Sequence, residues 1–382
     1  MAKLLMISGD RALAEGKRGA FYNTLEEFHK HWERIDIITP PIGKCLNGKS
    51  MTNDNCKMVN NYFGNVFIHP SPWPLILQPL WIYREGLRIL KTGNWKLETG
   101  NWVMTVHEFP PFYNGIGARL LWQKIKVPYI LEIFHIPGHP RAAGIKEVVY
   151  KLLFKFFIKF DASKAKAVRV MNQKQVPDFL IGSGVPREKI IYIPAIYIDL
   201  DIFKPLNVAK EYDLIFVGRL AENKGINLFI DAVKKLNAKA IIVGDGPLRE
   251  SLVSKVKKIN LEYRINFHGW AKDSHEVAGF INQSKILVMP SYNEGGPRVV
   301  LEAMACGVPV LATLVGIVLD LGLAVIGIDW NSEDIAKKAS YILNNETEYM
   351  RLKQAGPEIA KQFEKKEAIK NYADKLKEVL TG

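Results

Sequence analysis

Two glutamates, Glu294 and Glu302, stand with seven residues between them in the stretch Met289-Pro-Ser-Tyr-Asn-Glu-Gly-Gly-Pro-Arg-Val-Val-Leu-Glu-Ala-Met-Ala-Cys-Gly-Val-Pro-Val-Leu-Ala312. The apolar run before Pro290 reads as a strand and Gly295-Gly296 as a turn. Pro297 to Gly307 reads as a helix, with proline at its first position and glycine at its C-cap. Glu294 then falls on the loop before the helix and Glu302 more than one turn inside it, both near the crevice at the carboxyl ends of parallel strands. A carboxylate there can accept two hydrogen bonds from a sugar or ribose diol, and the amides at the helix start can face an anion. A lone carboxylate pair at this spacing is more often a helix cap and a solvated face; the glycines and the strand end beside this one favour a ligand.

Three further clusters follow strand-like runs. Val217-Gly-Arg-Leu-Ala-Glu-Asn-Lys-Gly225 places Arg219 and Lys224 on a glycine-flanked loop leading to a helix, a setting suited to a diphosphate, against the alternative of a surface charge pair. In Val243-Gly-Asp-Gly-Pro-Leu-Arg-Glu250 the glycines Gly244 and Gly246 let backbone approach a ligand closely, although such a pair also suits a plain tight turn. Asn266-Phe-His-Gly-Trp270 is another strand end beside the same crevice.

The elements that must hold these loops alternate strand and helix, which predicts an α/β protein with parallel sheets covered on both faces. Strand-like runs fall at Leu4–Ile7, Ile35–Ile38, Val66–Ile68, Val103–Val106, Tyr129–Phe134, Ala167–Val170 and Ile190–Ile193. The rhythm restarts at Asp213–Val217, Ala240–Val243, Ile265–Phe267, Ile286–Met289 and Val308–Ala312. Two doubly wound domains in series are expected, residues 1–200 and 208–362, joined near Pro194–Lys210, with a helix at 363–382 turned back toward the first domain. Pro40–Asn65 reads as a long surface loop, and the near repeat Thr92-Gly-Asn-Trp95 and Thr99-Gly-Asn-Trp102 is too short for a repeat architecture.

The chain has 382 residues, 48% of them hydrophobic and 24% charged, ample for two cores. Its net charge of +13 is uneven: residues 1–200 hold 27 Lys+Arg against 16 Asp+Glu, residues 201–382 hold 25 against 23. An anionic partner is therefore expected mainly at the first half. No Cys/His finger, RNA-recognition signature or basic heptad arm supports nucleic acid. Three cysteines, Cys45, Cys56 and Cys306, are too few for a disulfide scaffold, so a reducing cytoplasmic setting is expected. Neither a signal peptide nor a transmembrane helix is predicted, because Ala303–Leu319 is broken by Gly307, Pro309 and Gly316.

Taken in order, Gly218-Arg219 with Lys224-Gly225, Gly244-Asp-Gly-Pro247, Phe267-x-Gly269, and Glu294 ahead of Glu302 in Glu-Ala-Met-Ala-Cys-Gly resemble the family 4 glycosyltransferases of the GT-B fold. The resemblance is strong over residues 190–345. It implies two Rossmann-like domains facing a central cleft and a nucleotide-diphosphate-sugar donor held by the second. Arg219 and Lys224 would neutralise the diphosphate, Glu294 orient the transferred sugar and Glu302 hold the ribose hydroxyls. Amides from Gly295 and Gly296 through Arg298 and Val299 would contact sugar and phosphate, and the loop of Phe267, His268 and Gly269 would flank the base. In the first half Gly19, of Gly16-Lys-Arg-Gly19, matches the family's glycine near the phosphates, and His135 its strand-end histidine near the sugar. An aspartate common after that histidine is replaced by Ile136, and Thr313–Asp320 departs from the usual Gly-Gly followed by Glu.

The implied activity is metal-independent transfer with retention to a hydroxyl acceptor, either lipid-linked or a polysaccharide precursor. The alternatives are a sugar-nucleotide epimerase or a binding protein without catalysis. His107 is a weaker candidate than His135. One helix after Gly144 sets Val149, Leu152, Leu153, Phe156, Phe157 and Phe160 on one face and Lys151, Lys155 and Lys159 on another. That pattern suits either packing on the first sheet or docking on an anionic membrane.

Overall fold

The computed structural model describes residues 2–42, 61–91, 101–194 and 196–381. Cys45, Cys56, Ala195, the Thr92 to Trp95 half of the near repeat, Thr99 and most of the Pro40–Asn65 loop lie outside them. The first half runs β1 (Lys3–Ile7), α1 (Ala20–Phe28), β2 (Arg34–Thr39), β3 (Asn61–Tyr62), β4 (Val66–Pro70), α2 (Gln78–Ile89), β5 (Trp102–His107), α3 (Tyr113–Ile125), β6 (Tyr129–Ile133), α4 (Ile145–Ala162), β7 (Ala167–Val170), α5 (Gln175–Gly182) and β8 (Ile190–Tyr192). The second runs β9 (Tyr212–Val217), α6 (Ile226–Leu236), β10 (Ala240–Val243), α7 (Arg249–Lys258), β11 (Ile265–Gly269), α8 (Ser274–Asn282), β12 (Ser284–Met289), α9 (Arg298–Ala305), β13 (Val310–Thr313), β14 (Val325–Ile328), α10 (Ser332–Asn344), α11 (Glu346–Ala360) and α12 (Lys365–Thr381).

These elements form two sheets, in the orders β3-β4-β2-β1-β5-β6-β7-β8 and β11-β10-β9-β12-β13-β14. All pairings are parallel except β3 with β4. The strands read as unbroken apolar runs because helices bury both their faces. Leu5, Ile7, Met104 and Val106 pack beneath α2 to α5, whereas Leu4, Met6, Ile35 and Ile37 pack beneath α1 and α12.

The order of each sheet fixes where a ligand can enter. From β1 the chain winds outward through β2 to β4, then returns to the other side of β1 and winds through β5 to β8; from β9 it winds to β11, then returns to β12 and winds to β14. Loops diverge over the strand ends at each reversal, β1/β5 and β9/β12, leaving a crevice.

Some expectations are corrected. Pro297 is the N-cap, with φ −70° and ψ 101°, and α9 starts at Arg298. Two strands went unread: β3 is two residues inside the stretch expected to be loop, and β14 is four residues interrupted by Gly327. Both are too short to show periodicity. The helix expected at 363–382 begins at Lys365, after a 3₁₀ turn at Lys361–Phe363. On α4 the stripe does not cover the sheet: Val149, Leu152, Leu153, Phe156 and Phe160 are exposed, Phe156 by 76%, and Phe154 and Ile158 make the packed line instead. Among the described residues no helix is long and apolar enough to cross a membrane.

α12 returns from the second half to the first. Its Ile369, Tyr372, Ala373, Leu376 and Leu380 are buried with Leu25 and Phe28 of α1, and Tyr372 stacks on Phe28 with ring centroids 5.0 Å apart.

Candidate active site

The second reversal carries the charged loops. The loop after β9 is tied to the loop after β12 by a hydrogen bond from the Tyr292 amide to the Asn223 carbonyl, 2.8 Å. Across this junction the Lys224 ammonium donates to Glu294 Oε1, which also accepts from the Ser291 hydroxyl at 2.9 Å. Both side chains are mostly shielded but keep some contact with solvent, at 26% and 14% exposed. Arg219 is exposed at the end of β9 and makes no side-chain ion pair or hydrogen bond among the described residues.

The loop after β12 also meets the first half. A Cβ on Gly295 would lie 2.1 Å from the Phe134 carbonyl oxygen and 3.3 Å from His135 Cβ, so only glycine lets the two loops approach this closely. Asn293 donates to the Arg141 carbonyl at 3.0 Å and to Glu147 at 2.9 Å, and the Gly316 amide donates to the Gln175 side chain at 3.0 Å. Thr313–Asp320, the segment that departs from the family pattern, thus helps to join the halves.

Between the halves lies a cavity of about 540 Å³. His135, Glu294, Gly295, Gly296 and Arg298 line it, and the Arg298 guanidinium lies over the Tyr197 ring at 4.3 Å. The His135 ring is exposed to this cavity, between the facing loops of the two halves. Desolvation between those loops lowers its pKa, Glu294 acts in the opposite sense, and the imidazole is neutral at pH 7.

Other expected residues stand outside this lining. Glu302, in the second turn of α9, has no side-chain hydrogen bond among the described residues, and burial pushes its pKa up to about 7 against the opposing Arg298 charge. Gly218, Gly244 and Gly246 bring two loops together: a Cβ on Gly244 would fall 2.0 Å from the Gly218 carbonyl oxygen, and one on Gly246 2.6 Å from that of Leu220. Phe267 turns into the apolar cluster beneath α6 and α7, and the His268 ring packs on Phe280 with centroids 4.4 Å apart, while Trp270 is exposed. Val299, on α9, is half-buried against the core of the second half, and Gly19 is the N-cap of α1 with open space around it.

Of the charged group beneath the cavity, sequence reasoning named only His107, as a weaker candidate, and missed Glu132, Arg169 and Tyr372. Glu132, fully buried, accepts from Arg169 at 2.7 Å and from the Tyr372 hydroxyl at 2.5 Å, and its other oxygen lies 2.8 Å from His107 Nε2. Burial would raise this carboxyl, but the His107 and Arg169 charges with the Tyr372 hydrogen bond hold it at about 2. His107 Nδ1 lies 3.3 Å from the Ser8 hydroxyl, and Ser8, His107 and Tyr372 all line the cavity. The available signal was a charge in each of two apolar strands, since the register sets His107 beside Glu132 and Glu132 beside Arg169.

Comparison with known proteins agrees with this architecture. Residues 198–359 match the family model of the glycosyl transferases of group 1. An uncharacterized glycosyltransferase of Methanocaldococcus jannaschii is 28% identical over 314 residues, 79% of this chain and 82% of that protein. The N,N'-diacetylbacillosaminyl-diphospho-undecaprenol alpha-1,3-N-acetylgalactosaminyltransferase of Campylobacter jejuni is 28% identical over 65% of this chain and 70% of its own. Anabaena HepE, crystallised with UDP and glucose, superposes with a TM-score of 0.74 at 17% identity, covering 99% of this chain and 100% of its own. With two parallel sheets facing one cavity, the chain has the GT-B fold, and its residues 198–359 carry the pattern of the glycosyl transferases of group 1.

Proposed function

We propose that the protein transfers a glycosyl unit from a nucleoside diphosphate sugar to a hydroxyl of a lipid-linked acceptor at an anionic membrane surface, with retention of configuration and without a metal ion. The observation that carries this reading is the Lys224–Glu294 pair at the β9/β12 reversal, seated where Gly295 meets the His135 loop. Arg219 and Lys224 offset the charge that grows on the diphosphate as its bond to the anomeric carbon breaks, so fixed cations do the work a metal would otherwise do. Glu294 and the neutral His135 orient the transferred sugar, and Glu302 accepts hydrogen bonds from the ribose hydroxyls. The acceptor oxygen bonds to the anomeric carbon on the face the phosphate leaves, and its proton passes to that phosphate, so no carboxylate nucleophile is required.

Support for the donor comes from HepE, crystallised with UDP and glucose, and for the acceptor from the diphospho-undecaprenol substrate in the Campylobacter enzyme's name. The membrane reading rests on α4, where Ile145, Val148, Val149, Leu152, Leu153, Phe156 and Phe160 form one exposed apolar stripe accompanied by Lys151, Lys155 and Lys159. Transferase relatives favour this reading over an epimerase or a binding protein.

The test is a panel of nucleotide sugars screened for protection against thermal unfolding, followed by product analysis in excess chelator. A protective nucleotide sugar that is turned over to nucleoside diphosphate and an acceptor glycoside of unchanged anomeric configuration is expected. An inverted product, or activity lost in EDTA and restored by Mn²⁺, overturns the mechanism.

A further inference from the structure

A second, smaller cavity of about 220 Å³ lies over the ends of β1, β2 and β5. Gly9 and Phe109 border both cavities, so the two are neighbours across a single aromatic ring. That ring lies directly on Gly9, where a Cβ would fall 1.9 Å from it. Pro40, Leu75, Pro110 and Pro111 make the smaller cavity's walls largely apolar, and the apolar surface continues outward through Ile76, Leu77 and Leu80, exposed by 69%, 38% and 53%. At its border stands Arg11, exposed and with no side-chain ion pair or hydrogen bond among the described residues. Gln78 belongs to the wall, with both carboxamide atoms buried and unpartnered. A buried amide N–H without an acceptor is costly, and an anionic oxygen is the acceptor that relieves it best.

An apolar slot with a cation at its border and an unmet donor in its wall fits an amphiphilic anion. We propose that this cavity holds the phosphate end of the lipid on which the acceptor sugar is carried, with Arg11 on the phosphate and the first carbons of the chain against Leu75, Pro110 and Pro111. A single sugar ring between that phosphate and the reacting hydroxyl would fit two cavities separated by Phe109. The slot and the exposed stripe of α4 belong to the same helical layer, α2 to α5, so the chain leaves toward the membrane-facing side. This inference rests on the lipid-linked acceptor proposed above.

Farnesyl diphosphate is a soluble probe of this chemistry, with inorganic pyrophosphate and farnesol as its two halves. Calorimetry on the full chain should show farnesyl diphosphate binding in the presence of saturating UDP, roughly tenfold weaker in Arg11→Ala and in Leu75→Ser, with neither half matching it. An Arg219→Ala/Lys224→Ala variant should bind it unchanged, because the donor's phosphate site is not the one used. Displacement by UDP, indifference to Arg11→Ala, or no binding at about 1 mM overturns the assignment. Arg11 is exposed, so its removal leaves the fold intact and the readout interpretable. If the enzyme turns over a nucleotide sugar onto a lipid-linked acceptor while farnesyl diphosphate fails these criteria, only this inference falls; absence of nucleotide-sugar turnover counts instead against the transferase reading.

Discussion

The two chain reversals are built alike and furnished differently. At β9/β12 the polar groups come from two short loops, carry opposite charges and stand at the rim, where Lys224 and Glu294 keep contact with solvent. At β1/β5 the corresponding charges are sunk below the floor: Glu132 and Arg169 are at most 1% exposed and reach the cavity through His107, Tyr372 and Met171. A rim charge can turn toward a ligand at little cost, whereas a sunk pair is bound to its partners and fixes the geometry above it. Under the proposed transfer, the second reversal would do the chemistry and the first would supply a rigid surface against which an acceptor is held.

If that division is right, removing Glu132 should have the largest effect, and it should be on stability. Glu132→Ala leaves the Arg169 guanidinium buried without its carboxylate and should cost about 3–5 kcal/mol in denaturant unfolding, whereas Glu294→Ala should cost far less. Equal losses would erase the distinction. Next, Arg219→Ala and Lys224→Ala should each lower kcat by roughly 10²–10³-fold with unfolding midpoints near wild type. Unchanged turnover in both removes the second reversal from the chemistry.

Glu302 sharpens the comparison through pH. Its carboxyl, raised to about 7 by burial, must ionise to accept the ribose hydroxyls, so donor affinity should rise with pH through 7 and flatten above it. Glu302→Gln should abolish that slope and weaken binding at pH 8 by about 1.5–3 kcal/mol. The stability sign is opposite: an acid whose pKa is raised on folding loses stability as pH rises from its unfolded value toward 7, so unliganded Glu302→Gln should melt above wild type at pH 8. The smallest effect concerns α4, where Lys151, Lys155 and Lys159→Glu should remove about 1 kcal/mol of attraction to anionic vesicles per lysine at low salt. Co-sedimentation unaffected by the triple change would argue for another membrane face.

The second reversal was legible because its groups lie close together in sequence, Arg219 with Lys224 and Glu294 with Glu302, each beside glycines that mark a strand end. Ser8, His107, Glu132 and Tyr372 come from four distant segments, and apart from His107 each alone reads as an ordinary residue; the register of β5, β6 and β7 sets His107, Glu132 and Arg169 side by side, and the return of α12 adds Tyr372. The periodicity of α4 gave the stripe but not which side of the helix the sheet would cover, since Phe154 and Ile158 satisfy a helical spacing as well as Phe156 and Phe160 do. Phe267 and Gly244 lay where the spacing put them, yet one packs half-buried against the core and the other spaces two backbones, roles that a motif does not separate from ligand contact.

The return of α12 to the first sheet also bears on how the protein is made. The apolar layer over one face of that sheet needs Ile369, Tyr372, Ala373, Leu376 and Leu380, and the buried Glu132 needs the Tyr372 hydroxyl. During synthesis the amino-terminal half leaves the ribosome with that face covered by α1 but not by α12, and it stays so while the second half is translated. The order of translation and the order of completion are therefore reversed: the half made first is finished last. Until the final helix docks, the nascent chain presents a strip of Leu25, Phe28 and Trp32 to whatever chaperone or neighbouring chain it meets.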